Sequence, residues 1–220
     1  MKALFITSLL LVGALTAGAQ DNIETSIGTD LVSQYVWRGQ DLGGVSVQPT
    51  LGVSFKGLSL SAWGSVGLAD PSDTRELDFT LAYSAGGFNV GVTDYWFPDI
   101  ASNVYEANIG YDFGFASLQW YTNFAGDDSL NDKGQLAYSS YVEVDVPFTL
   151  GSVDWTATAG AVPFATDFYG VSQFALVNLA MTASKDIQIT DAFSIPIFAQ
   201  LAANPYTKNA YLVFGITLGL

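Results

Sequence analysis

Apolar and polar residues alternate along most of this chain, with a period of two. In a strand that period sends the two sets to opposite faces. Arg75 to Ala85 shows it most cleanly: Leu77, Phe79, Leu81 and Tyr83 alternate with Glu76, Asp78, Thr80 and Ser84. Asn209 to Leu220 sets Leu212, Phe214, Ile216, Leu218 and Leu220 against Tyr211, Val213, Gly215, Thr217 and Gly219. One face is wholly apolar and the other is small or mildly polar.

The same rhythm predicts twelve strands, ten to fourteen allowing for split or merged segments. The first runs from Ile23 to Arg38, with Ile27, Leu31, Tyr35 and Trp37 on one face and Glu24, Ser26, Gly28, Asp30, Gln34 and Arg38 on the other. A loop over Gln40 to Val47 follows. The next are Gln48 to Lys56, Leu58 to Leu68, Arg75 to Ala85, Phe88 to Phe97, Val104 to Phe113 and Phe115 to Phe124. Then come Leu136 to Phe148, Val153 to Val162, Gln173 to Lys185, Phe193 to Ala203 and Asn209 to Leu220. Lys185 to Asp191 reads as a turn with a few extended residues. In Phe88 to Phe97 the parity puts Asp94 on the apolar face. A bulge would restore the alternation, or Asp94 stands above a lipid boundary.

Tight turn signals such as Lys56-Gly57 and Gly86-Gly87 alternate with longer polar loops. An even strand count, alternate short and long connections and one apolar face per strand predict an all-β, transmembrane, antiparallel up-and-down barrel. Ten residues at about 3.3 Å rise, tilted about 40°, stand about 25 Å tall, the height of an apolar membrane band. Aromatics near predicted strand ends, Tyr35, Trp37, Trp96, Tyr105, Phe124 and Trp155, are expected at the membrane interfaces.

Composition sharpens this picture. Half of the 220 residues are hydrophobic and only 13% are charged, against about 25% in soluble domains. Met1 to Ala19 has Lys2, an apolar run from Leu4 to Ala14 and Ala17-Gly18-Ala19. That is the pattern of a secretory signal peptide, and the run is short of the ~20 residues a spanning helix needs. Residues 1–19 are therefore expected to be a cleaved signal and residues 20–220 one outer-membrane barrel of a Gram-negative type. With Lys2 removed, six Lys and Arg stand against twenty-one Asp and Glu, a net charge of −15. Nucleic acid is not an expected partner.

There is no histidine and no cysteine. Ser-His-Asp and Cys nucleophile chemistry is excluded, as are His-based metal sites. No catalytic residue, cofactor or metal is expected, and no enzyme activity. Carboxylate pairs such as Glu76/Asp78 and Glu143/Asp145 read as acids on a wet face, and the acidic loop Gly126 to Gly134 as solvated charge.

Parity turns Glu24, Asp30, Glu76, Asp78, Glu106, Glu143, Asp145 and Asp154 inward, with only Arg38 and Lys56 to oppose them. Two cations cannot pair eight acids, so the lumen is expected to be hydrated. Twelve strands lie between filled eight-stranded barrels and open sixteen-stranded porins. The expectation is a narrow acidic pore passing small cationic or neutral hydrophilic solutes. Two other readings stay open. One is a structural or ligand-binding barrel whose lumen is plugged by side chains such as Trp63, Tyr121 and Phe198. The other is an exported soluble β-protein holding an apolar ligand. The expected partners are outer-membrane lipid, lipopolysaccharide and small solutes, with homo-oligomerisation left open.

Ser33-Gln34-Tyr35-Val36-Trp37-Arg38-Gly39 resembles the S-x-Y-x-[F/W]-R-G opening of the TorF family of outer-membrane porins. Pro49 and Ala62-Trp63-Gly64-Ser65 fit the same pattern. The resemblance covers about residues 23 to 68. It implies an outer-membrane location and a porin role, without a substrate. On this reading Tyr35 and Trp37 sit in the outer interface and Arg38 turns inward near the mouth, within reach of an acid on a neighbouring strand.

Overall fold

The computed structural model describes residues 23–191 and 193–219. The expected signal, residues 1–19, and Leu220 of the closing strand lie outside the described residues. The first strands are β1 (Glu24–Val32), a short pair β2 (Tyr35–Trp37) and β3 (Gln40–Gly43), β4 (Ser46–Phe55) and β5 (Leu58–Gly67). β6 (Glu76–Ala85), β7 (Phe88–Phe97), β8 (Ser102–Asp112), β9 (Ser117–Gly126) and β10 (Ser140–Leu150) follow. β11 (Val153–Val162), β12 (Ala175–Thr190), β13 (Phe193–Asn204) and β14 (Asn209–Gly219) complete the chain.

Twelve of these strands form one closed antiparallel barrel, and β2 and β3 form a separate two-stranded sheet. From β4 onward each barrel strand pairs with its neighbours in the chain. β1 pairs with β4 on one side and with β14 on the other, the latter from Gly28↔Gly219 to Val32↔Gly215. The last strand therefore closes the ring.

The alternation sets the two faces. Leu51, Leu81 and Leu212 are 59%, 53% and 55% exposed, and Leu60, Phe79, Ile109 and Leu201 stand with them. Their inward neighbours, among them Gln48, Glu76, Asp78, Gln119, Glu143 and Thr182, are buried. A soluble barrel would show the reverse. Contiguous apolar surface around a whole barrel calls for lipid, and closure satisfies the backbone there. Among the described residues no helix is long and apolar enough to cross a membrane.

Short connections cluster at one end of the barrel: Lys56-Gly57, Gly86-Gly87, the 113–116 turn and Gly151-Ser152. The beginning of β1 and the end of β14 lie at this end. The other end carries the longer loops, 33–45, 68–75, 127–139 and 163–174.

Four expected segments change. The strand expected from Ile23 to Arg38 leaves the wall after Val32, and the expected loop at Gln40 to Val47 contains β3 and the start of β4. Arg38 and Gly39 both have positive φ, 49° and 76°. They form a two-residue hairpin turn with Trp37↔Gln40 as its closing pair, the geometry that matches strand twist. The strand expected at Leu136 to Phe148 begins at Ser140, because Leu136 bridges Leu130 inside the loop. The turn expected at Lys185 to Asp191 is strand: β12 continues to Thr190, with Ile187 and Ile189 keeping the outward parity. Asp94 needs no bulge; it stays on the outward face of β7 and accepts a hydrogen bond from Asn103 Nδ2 at 2.6 Å.

Candidate functional site

The β2–β3 hairpin folds into the barrel at the long-loop end. Its tip carries Arg38, buried at 6% exposure, to the opposite wall. Arg38 Nη1 and Nη2 donate to the two carboxylate oxygens of Glu106 on β8, at 2.6 and 2.9 Å. This is the two-pronged geometry that a guanidinium offers a carboxylate. Nη1 also donates to the Tyr169 hydroxyl at 2.6 Å, and Tyr95 donates to Glu106 at 2.8 Å. The guanidinium carbon lies 4.1 Å from the ring centre of Tyr121, 4.4 Å from Trp37 and 4.6 Å from Tyr141. Aromatic faces attract a cation through their quadrupole, most strongly when water is excluded.

The rest of the hairpin is held as closely. Tyr35 donates to Glu76 at 2.7 Å and its ring packs on Trp63 at 5.6 Å. Asn204 donates to the Gly39 carbonyl at 3.1 Å. A Cβ on Gly39 would stand 2.0 Å from the Val177 carbonyl oxygen, so only glycine lets the tip approach β12 this closely.

A second inward element, the 163–174 loop, backs the hairpin. Tyr169 stacks on Trp37 at 6.0 Å and on Tyr141 at 5.9 Å. Val162, Tyr169, Val171, Ala175, Val177 and Tyr141 form the apolar cluster inside this end of the barrel. Burial pushes the Tyr169 phenol above its ordinary value, against the opposing pull of Arg38. It stays protonated and accepts from the guanidinium. The third long loop joins through Ser139 and Ser129, whose hydroxyls meet Thr166 at 2.5 and 2.9 Å.

Below this plug the inner wall is acidic. Glu143 accepts from Tyr141 at 2.5 Å, Asp145 from Thr158 at 2.6 Å, and the half-buried Asp30 from Thr217 at 2.6 Å. Asp78 is 1% exposed, and neither of its oxygens receives a hydrogen bond from a donor. Glu106, by contrast, has an ion-pair partner, Arg38.

Several expected placements change. Tyr35 and Trp37 are inside the lumen and not in an outer interface, because the chain has left the wall before them. Lys56 is not a lining residue: it sits in the β4–β5 turn with φ 50°, exposed, its Nζ 5.2 Å from the Phe55 ring. Glu24 and Asp154 are exposed at the short-turn end, and Asp154 accepts from Thr149. In the loop expected to be solvated, Asp128 is buried and accepts from Ser139 N and Asn123 Nδ2, at 3.0 and 3.2 Å. Trp96 and Phe124 are exposed on the outer face. Tyr105 packs with Phe124 at 6.4 Å, and Trp155 stacks on Phe148 at 6.3 Å. Of the side chains that the alternative of a plugged barrel names, Tyr121 touches Arg38, while Trp63 and Phe198 face the space under the hairpin. Tyr95, Tyr141, Tyr169 and Asn204 belong to this site although the alternation of the sequence does not mark them as part of one.

A barrel with an apolar outside, an acidic inside and a hairpin plug defines the class of molecule. The chain belongs to the family Gcw_chp, described as a bacterial protein of unknown function, whose family model matches residues 16–200. No curated protein matches the chain at a significant level. Solved structures of similar outline include the NanC porin in a rhombohedral crystal form, at 10% identity and TM-score 0.49, covering 88% of this chain and 98% of that one. Salmonella typhi OmpF in complex with daunomycin aligns at 8% identity and TM-score 0.39, covering 91% and 98%. A loop-deletion mutant of OmpT, an outer membrane protein of Vibrio cholerae, aligns at 11% identity and TM-score 0.33, covering 89% and 97%. At these values the likeness carries no functional argument.

Proposed function

We propose that this protein is an outer-membrane channel of porin type, passing small cationic or neutral hydrophilic solutes through an acidic lumen that the β2–β3 hairpin closes. The observation that carries this reading is the charge of the inner wall. Glu76, Asp78, Glu143 and Asp145 are buried there, and Arg38, the cation near them among the described residues, is paired with Glu106. Such a wall repels anions. The apolar outer face supports the outer-membrane location, with the long loops outward and the short turns periplasmic. The signal-like Met1 to Ala19 supports export by cleavage, and the motif ending in Arg38-Gly39 supports the TorF resemblance. Lipid and lipopolysaccharide are the partners of the outer face.

The hairpin favours a second reading, a barrel that binds but does not conduct. Swelling of proteoliposomes in isosmotic amine hydrochlorides, neutral polyols and sodium carboxylates separates the two. The channel reading expects entry of amines and polyols, faster than carboxylates. Equal entry of carboxylates overturns the selectivity, and no swelling from either the natural chain or a variant with a freed hairpin overturns the channel.

A further inference from the structure

Glu76 and Asp78 stand two residues apart on the inner face of β6, 7% and 1% exposed. Both oxygens of Asp78 are sealed from solvent, and no amide, hydroxyl or guanidinium donates to them. The Asp78 side chain instead shares a hydrogen bond with the Glu76 carboxyl. Two carboxylates have no donor between them, so this bond requires a proton on one member. Asp78 is the member that carries it. A neutral Asp78 donates to Glu76 and needs no donor itself, while Glu76 accepts from both Asp78 and Tyr35.

The surroundings favour that proton. Ser65 and Trp63 face the pair from β5, and Tyr95 faces Asp78 from β7. Glu106 and the outward Asp94 add negative charge from the neighbouring strands, and Asp30 lines the same small space under the hairpin. Arg38, the cation near them among the described residues, is held by Glu106. A second charge on the pair would be buried beside a like charge, without counterion or water.

The hairpin is tied to the same proton. Tyr35 donates to Glu76 at 2.7 Å, and its ring packs on Trp63 at 5.6 Å. β5, β6 and β7 are fixed in the barrel ladder, whereas β2 and β3 pair only with each other. The hairpin is therefore the cover that moves when water must reach the pair.

We propose that the Glu76–Asp78 pair is a proton latch: the proton on Asp78 holds the β2–β3 hairpin closed through Tyr35, and its loss lifts the hairpin from the lumen. The open pair is hydrated and gives up its proton in neutral solution, as ordinary carboxyls do. Closing therefore takes up one proton, and rising pH favours opening. For one proton the open-to-closed ratio rises by up to about tenfold per pH unit. The proposal deepens the channel reading, on which it rests for the hairpin as the closure, by naming what controls that closure.

The test is proteinase K cleavage within the hairpin of the refolded full chain in detergent, from about pH 6.5 to about pH 9, below the ordinary tyrosine range. Each rate is divided by that of a free peptide of residues 33–45, which removes the protease's own pH profile. Cleavage follows the open population where closing outpaces cutting. The ratio should rise with pH in the natural chain, by up to about tenfold per unit. It should stay flat in Asp78→Asn and in Glu76→Gln, whose amides donate across the pair without titrating. The infrared carbonyl stretch of a protonated carboxyl should be present at neutral pH and lost in Asp78→Asn. A flat profile in the natural chain, or an unchanged slope in an amide variant, overturns the proposal. Should neither variant refold, the natural chain's profile and its carboxyl band decide. A pH-dependent hairpin in a chain that never swells liposomes upholds the latch and refutes the channel. Swelling with a flat profile does the opposite.

Discussion

Replacing Arg38 by methionine should release the hairpin while leaving the barrel closed. Arg38 and Glu106 are 6% and 3% exposed and form a two-pronged pair at 2.6 and 2.9 Å. Removing one partner of such a pair leaves the other charge buried and unpaired, at a cost of about 3–5 kcal/mol. At 25 °C that is a shift of roughly two to three and a half powers of ten in a local equilibrium. The loss falls on the hairpin because the barrel ladders do not involve Arg38. A two-stranded hairpin is marginal by itself, and this one then depends on Tyr35–Glu76, Asn204–Gly39 and its stacked rings. Freeing the tip lets water reach Glu106 and relieves the penalty, so release wins over unfolding. Proteinase K should therefore cut Arg38→Met between Tyr35 and Gly43 while the barrel core survives, and single-channel openings should become larger or longer. The double variant Arg38→Met/Glu106→Gln should regain much of the protection, since neither member of the pair then leaves an unpaired charge behind. Equal protease resistance and equal conductance in Arg38→Met and the natural chain would refute the reasoning.

Gly39→Ala should loosen the same hairpin, because the new methyl would meet the Val177 carbonyl at 2.0 Å and φ is 76°; faster proteinase K cleavage there, with an unchanged barrel, is the readout. Leu81→Arg, on the lipid face, should cost about 2–4 kcal/mol if it lies near the bilayer midplane. Urea titration in lipid vesicles measures it, and Thr80→Arg on the inner face should cost less and weaken cation preference. Asp128→Ala removes the acceptor for Ser139 N and Asn123 Nδ2. Hydrogen exchange at the Ser139 amide should quicken by an amount matching about 1–3 kcal/mol.

The barrel was legible because lipid enforces parity. Most wall strands between β4 and β14 show their faces in sequence; the exceptions are Asp94, outward on β7, and the start of β12, where a register shift turns Val177 inward. The hairpin was not legible for the same reason: Tyr35 and Trp37 keep the parity of Ile27 and Leu31, so periodicity extends the strand through Ser33 and Gln34. Only the turn chemistry of Arg38-Gly39 marks the break, and arginine at positive φ is not a turn signal that composition reveals. Strand parity also turns Lys56 inward, although it is a turn residue, and gives no account of Asp128, whose acceptors are filled by Asn123 and Ser139, five and eleven positions away. The aromatic cage around Arg38 joins β2, β9, β10 and the 163–174 loop. Its members are distant in sequence, and no local pattern connects them.

The most direct test of the account is the reversal potential of the refolded chain in a planar bilayer under a salt gradient. The acidic lumen predicts discrete openings that reverse toward the cation equilibrium potential, with the preference reduced in Glu76→Gln/Glu143→Gln. Reversal toward the anion potential, or no conductance from either the natural chain or Arg38→Met, would contradict it.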